Sequence, residues 1–177
     1  MPGFGDPHAR VFVVGLAPGA HGSNRTGRQF TGDASGDFFY PALYRAGFAS
    51  QPTSISRDDG LTLADLYTAP VCRCVPPNNK PTMEEMVNCQ PYLERELDLI
   101  RPKVLVALGR IAFDRILRIF AIKDMSLTFA HNLVHEIQVG RYLVCSYHPS
   151  RQNTQTGRLS TAMFDKVWKT ARELIIR

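Results

Sequence analysis

Apolar, β-branched runs alternate along this chain with amphipathic stretches, a pattern that predicts parallel strands joined by crossover helices. Residues 10–16, 66–72, 103–108 and 141–147 read as strands, and residues 36–46, 82–100, 110–120 and 159–175 as helices. The second strand contains Pro70, which usually marks an edge or a bulge. The second helix has a strong start: Thr82 follows Pro81 and precedes Glu85 by three residues, the spacing of a capping box. Each of the clearer strands stops at unusual residues: the first at Ala17-Pro18-Gly19, the third at Gly109, the fourth at His148-Pro149.

A parallel sheet with helices on both faces binds its ligand outside the carboxyl ends of the strands, so the informative segments are 17–35, 73–81 and 148–158. The first is glycine-rich and polar, with Arg25 and Arg28 available for anionic oxygens. It lacks the Gly-Lys-Ser/Thr ending of a P-loop and the spaced glycines of a dinucleotide fingerprint. From composition alone it is equally a surface connection, but Phe30 beside Thr31-Gly32-Asp33 sets an aromatic face next to a carboxylate, which suits base stacking beside bond cleavage. The third segment, His148 to Arg158, has no large aliphatic side chain; it is either a solvated connection or a surface for phosphates and a groove, with His148 placed to stabilise a leaving group. Between them, Pro76-Pro77-Asn78-Asn79-Lys80-Pro81 is either a plain turn or a stiff corner whose amide reads a base edge as both donor and acceptor. His131 and His135 have helical spacing for a metal pair but no acidic third ligand, and metal binding is not expected there.

With 177 residues, 44% hydrophobic and 21% charged, the chain has the makings of one globular domain spanning 1–177. Its longest apolar runs fall far short of the roughly 20 residues a membrane-spanning helix needs, and Met1-Pro2-Gly3-Phe4-Gly5 has no secretory character, so a cytoplasmic location is expected. A net charge of +5 makes a polyanion a natural partner. The four cysteines, Cys72, Cys74, Cys89 and Cys145, are expected as buried thiols or metal ligands rather than disulfides.

The loops Gly15 to Asp33 and His148 to Arg158, the Pro-Pro-Asn-Asn-Lys-Pro corner between them and Leu108-Gly109-Arg110 occur in an order that closely resembles the family 5 (B-type) uracil-DNA glycosylases. The resemblance runs from Pro2-Gly3-Phe4-Gly5-Asp6 to the C-terminal helix. It implies an α/β fold, a three-layer α/β/α sandwich around a short four-stranded parallel sheet, with DNA lying across the strand ends. It implies hydrolysis of the N-glycosidic bond of flipped-out uracil in base-excision repair, with deaminated purines such as hypoxanthine and xanthine as further substrates. Phe30 would stack on the base, with Gly19 and Ala20 beside it. Asn79 would read the base's polar edge, and His148 would donate to a carbonyl oxygen as negative charge develops. Asp33 would hold the attacking water or stabilise the cationic sugar. Other branches carry an acidic or amide residue where this chain has Ala17, and its absence agrees with family 5.

Contacts to DNA, double-stranded and also single-stranded, would come from Arg25, Arg28, Ser150, Arg151, Gln152, Asn153, Thr154 and Arg158 of a monomer. Family members carry a 4Fe–4S cluster on four cysteines, of which Cys74 and Cys89 match two; the others lie in an N-terminal Cys-x-x-Cys segment this chain is expected to lack. Two further readings compete: a non-catalytic DNA-binding module, and a small-molecule nucleotide hydrolase holding phosphates on the glycine-rich loop. The second predicts activity on free nucleotides, yet no magnesium-binding carboxylate pair is evident.

Overall fold

The computed structural model describes residues 1–124 and 126–177. In chain order the elements are β1 (Phe4–Gly5), β2 (Val11–Gly15), α1 (Ser23–Thr26), α2 (Gly36–Arg45), β3 (Leu66–Pro70), α3 (Met83–Ile100), β4 (Val104–Leu108), α4 (Arg110–Ile119), β5 (Val134–Gln138), β6 (Arg141–Ser146), α5 (Arg151–Gln155) and α6 (Thr161–Ile176). They build one sheet in the order β1-β3-β2-β4-β6-β5. The expected parallel unit is its centre, with β3, β2, β4 and β6 pairing parallel from Val11 opposite Leu66 to Leu108 opposite Ser146. The sheet has six strands rather than four, because antiparallel β1 and β5 extend its two edges.

The sheet is covered on both faces, which is why its central strands read as unbroken apolar runs: every residue of β2 and β4 is buried. On one face Val11, Val13, Val104 and Val106 pack with Phe39 and Leu43 of α2 and Phe164 and Trp168 of α6. On the other, Phe12, Val14, Leu105 and Ala107 pack with Leu93 and Leu97 of α3 and Phe113 and Ile116 of α4. These are the three layers. The helices start where the side chains allow: Thr82 and Glu85 complete the capping box of α3, and the Ser160 hydroxyl accepts from the Met163 N–H to open α6. Pro70 ends β3 rather than interrupting it, and pairs with Gly15 at the strand end where no ladder bond beyond it is needed. Among the described residues no helix is long and apolar enough to cross a membrane.

Candidate active site

Because β3, β2, β4 and β6 run parallel, their following loops converge at one edge of the sheet. A cleft of about 620 Å³ opens there, walled by Gly19, Phe30 and Asp33 from the β2–α2 loop, Asn79 from the β3–α3 corner, and His148, Ser150, Arg151 and Gln152 from the β6–α6 segment. A larger groove, about 820 Å³, is lined by Arg101 and Arg141 near the amino ends of β4 and β6, away from all of these residues. The chemistry-bearing side chains are gathered in the smaller one.

The β2–α2 loop is folded tightly enough to fix its side chains. Phe30 adopts a left-handed backbone (φ 54°), uncommon for an aromatic residue and held by its N–H donating to the Ser23 hydroxyl at 3.0 Å. Its ring stacks on Phe39 at 4.3 Å between centroids, so one face is supported by the core while the residue lines the cleft. Gly36 permits this fold, since any Cβ there would collide with the Phe30 carbonyl oxygen. Asp33 Oδ1 accepts the N–H groups of Ser35 and Gly36, both at 3.0 Å, satisfying donors at the start of α2. Among the described residues nothing donates to Oδ2, which faces Gly19 and Gly22.

His148 follows β6 directly. Its carbonyl accepts the Asn153 amide at 2.9 Å, and the Ser150 hydroxyl accepts the Asn153 N–H to cap α5. One residue earlier, the Tyr147 N–H donates to His131 Nδ1 at 3.2 Å, while His131 Nε2 lies 3.1 Å from the Met163 carbonyl. That arrangement leaves the proton of neutral His131 on Nε2. The His148 ring lies 6.1 Å from that of Phe30. Burial drives its imidazole down to about 4, opposed by the charge of Asp33, so His148 is neutral at physiological pH. Asn79 sits in a short 3₁₀ turn, exposed, and it and Asn78 both have left-handed backbones.

Of the other residues singled out from sequence, Ala20, Arg25, Asn153, Thr154 and Arg158 lie outside the cleft wall. Arg25 is exposed and its Nε donates to the His21 carbonyl; Arg158 is exposed over the Tyr147 ring at 4.8 Å; Thr154 hydrogen-bonds the Ser150 and Arg151 carbonyls. Arg28 is a correction. Its side chain is 2% exposed and bonded at both terminal nitrogens to Asp59, at 2.9 and 2.8 Å, with Ser54 and Thr31 taking further donors. A guanidinium spent in this way has nothing left for a phosphate. Sequence reasoning missed Gln29, Ser23 and Leu16 in the cleft wall, since nothing in the loop's composition separates them from their neighbours.

The four cysteines divide in two. Burial pushes the Cys72 thiol up to about 11 and Cys145 up to about 12, which keeps both protonated. Cys74 is exposed, and the half-buried Cys89 Sγ accepts the Arg73 N–H at 3.4 Å. Among the described residues no three His, Cys, Asp or Glu side chains stand together as a metal site, and two thiolates do not hold four irons. The residues present therefore do not fit a 4Fe–4S cluster by themselves, and no part of the chemistry below depends on one. His131 and His135 do not have the helical spacing considered for them: His135 lies in β5 with Nε2 at 2.8 Å from the Thr128 carbonyl.

Residues 2–172 match the family model described as the Uracil DNA glycosylase superfamily. The chain is 52% identical over 175 residues to a type-5 uracil-DNA glycosylase of Thermus thermophilus, covering 98% of this chain and 80% of that protein. It is 47% identical over 178 residues to one of Mycobacterium leprae, 98% of this chain and 77% of that protein, and 44% identical over 171 residues to one of Pyrobaculum aerophilum, 97% and 74%. With a strand-end cleft that holds a carboxylate, an imidazole, an amide and a stacking ring, and relatives matched along nearly its whole length, this chain belongs to the uracil-DNA glycosylase superfamily, in its type-5 branch.

Proposed function

We propose that the cleft receives a uracil flipped out of DNA and hydrolyses its N-glycosidic bond, with hypoxanthine and xanthine as further substrates. The observation that carries this reading is the convergence of Phe30, Asp33, Asn79 and His148 on one cleft from three separate loops. Cleaving the bond leaves an oxocarbenium-like sugar and an anionic base, so the site needs a negative group on one side and a hydrogen-bond donor on the other. Asp33 meets the first need: Oδ1 is fixed by two backbone N–H groups and Oδ2 is left for water or the sugar. His148 meets the second. As a neutral imidazole it donates an N–H to a carbonyl oxygen of the departing base, and the burial that keeps it neutral also strengthens that bond in the transition state. Phe30 offers its supported ring for stacking, and Asn79 offers both donor and acceptor to the base edge.

Ser150, Arg151 and Gln152, on the wall beside His148, face the DNA strand around the vacated position, and the exposed Arg25 and Arg158 meet phosphates farther out. Flipping costs less at a mismatch, so U·G outpaces U·A. The test is alkaline strand scission after incubation with duplexes and single strands carrying one U or hypoxanthine. Cleavage by the wild type and its loss in Asp33→Ala and His148→Ala are expected; tight DNA binding with no scission would leave a binding module, and turnover of free nucleotides alone would leave a small-molecule hydrolase.

A further inference from the structure

We propose that Gln29 is a specificity-determining residue: its amide N–H groups donate to a carbonyl oxygen of the bound base and so select keto bases over their amino counterparts. The proposal rests on the glycosylase reading of the cleft and adds a second base-reading amide to Asn79. Gln29 is 2% exposed, between the buried Arg28 and the stacking ring of Phe30. Its backbone carbonyl accepts the Tyr40 hydroxyl at 2.8 Å and the Thr31 hydroxyl at 3.2 Å. Its side-chain Oε1 accepts the hydroxyl of Thr68, a fully buried residue of β3, at 2.8 Å. Both ends of the residue are therefore fixed, and the acceptor half of the amide is already used.

The donor half is not. Among the described residues Nε2 has no hydrogen-bond partner, and it is not one of the sealed-off orphan atoms, which are Arg73 Nε and Trp168 Nε1. Gln29 is one of the residues that line the cleft. Gly15, at the end of β2, makes the room: a Cβ there would stand 2.6 Å from Nε2 and 3.2 Å from Phe30 Cζ, so amide and ring lie side by side over the same bare strand end. A buried donor without a partner is costly to leave unmade and is regained when a ligand supplies an acceptor. The carbonyl groups of uracil and hypoxanthine supply one; the amino groups of cytosine and adenine present a second donor and leave Nε2 unpaired.

The experiment compares kcat and KM on duplexes carrying uracil, hypoxanthine or cytosine for the wild type, Gln29→Met and Thr68→Val, with inhibition by free uracil as a binding readout. Gln29→Met keeps the length and removes both donors; it is expected to lower kcat/KM on uracil and hypoxanthine by about ten- to a hundredfold and to weaken free uracil inhibition, with the trace rate on cytosine unchanged. Thr68→Val touches no substrate but releases Oε1 to rotate into the cleft, and is expected to narrow the uracil-over-cytosine preference by about tenfold through kcat/KM, with the fold retained at a lower Tm. Should Gln29→Met fail to fold, Thr68→Val decides alone. Uracil kinetics and selectivity within about twofold of wild type in the folded variants would overturn the assignment. A wild type inactive on uracil would instead refute the function itself, which keeps the two failures apart.

Discussion

The β2–α2 loop and the β3–α3 corner both reach the cleft, but a buried guanidinium braces the first to a segment some thirty residues away, whereas the second is held mainly by its own turn. In the first, Arg28 ties Asp59, Ser54 and Thr31 together, and the Gly32 N–H adds a bond to the Ser54 carbonyl at 2.9 Å. In the second, Asn79 and Lys80 donate to Pro76 and Pro77 at 3.1 Å, and residues 77–80 are exposed. Phe30, Asp33 and Gln29 ride on the braced loop, so under the proposed function the groups that would stack the base and meet the sugar are set before DNA arrives. Asn79 rides on the looser one. On the proposed reading, the groups for bond cleavage are preorganised by ordinary folding energy, while Asn79 would read its base edge from a corner with fewer bonds to the rest of the fold.

The largest effect is expected from removing the brace. Arg28→Ala strands Asp59, whose carboxyl the guanidinium holds well below the usual carboxylate range, and should cost about 3–5 kcal/mol in urea unfolding. The more exposed Arg10–Asp65 pair is the control: Arg10→Ala should cost under about 1 kcal/mol. Equal, small losses for the two would mean that Arg28 braces nothing.

Next comes the chemistry, in which Asp33 of the braced loop faces His148 of the segment after β6. His148→Ala should lower kcat by about a hundred- to a thousandfold with DNA binding retained. An NMR titration should place the His148 midpoint near 4, and Asp33→Asn should move it lower still, because the Asp33 charge is what opposes desolvation. The consequence for stability follows from the sign of the shift. The unfolded chain takes up this proton near the ordinary value of 6.5 and the folded chain only near 4, so this contribution is complete above pH 6.5 and declines as pH falls from there toward 4. Asp59 adds a second loss at more acid pH, since its folded pKa is depressed and its contribution disappears as the carboxylate protonates. A wild-type stability that rose between pH 6.5 and 5 would contradict the His148 assignment.

These residues also show where the sequence was legible. Strands β2, β4 and β6 and the four long helices stand out in the pattern because burial on both sheet faces leaves unbroken apolar runs, the helices are amphipathic, and α3 and α6 carry side-chain caps. β1 is only two residues long, and β5 is an edge strand with Ile137 as its one buried residue, so neither produces a periodic signal. The cleft residues of the glycine-rich loop and of His148-Pro149 were accessible because strand ends collect ligands. Arg28 was not, because an arginine in a polar loop looks the same whether it faces a phosphate or an aspartate distant in sequence. Gln29 was hidden for a related reason: its meaning depends on Thr68, on another strand, and on the bare backbone of Gly15.

The smallest effects test the looser side, where adjacent residues make a paired experiment. Asn78 and Asn79 have nearly the same left-handed backbone, φ 53° and 56°, but only Asn79 lines the cleft. Glycine accepts that conformation without strain, so Asn→Gly at either position leaves the turn intact and removes a side chain. Asn79→Gly should reduce kcat/KM on uracil by about tenfold, the value of one base-edge hydrogen bond, whereas Asn78→Gly should stay within about twofold and change stability by less than about 0.5 kcal/mol. Equal losses at both positions would mean that the corner acts through its backbone alone. No loss at either would move recognition of the base edge to the braced wall, where Gln29 already faces the cleft.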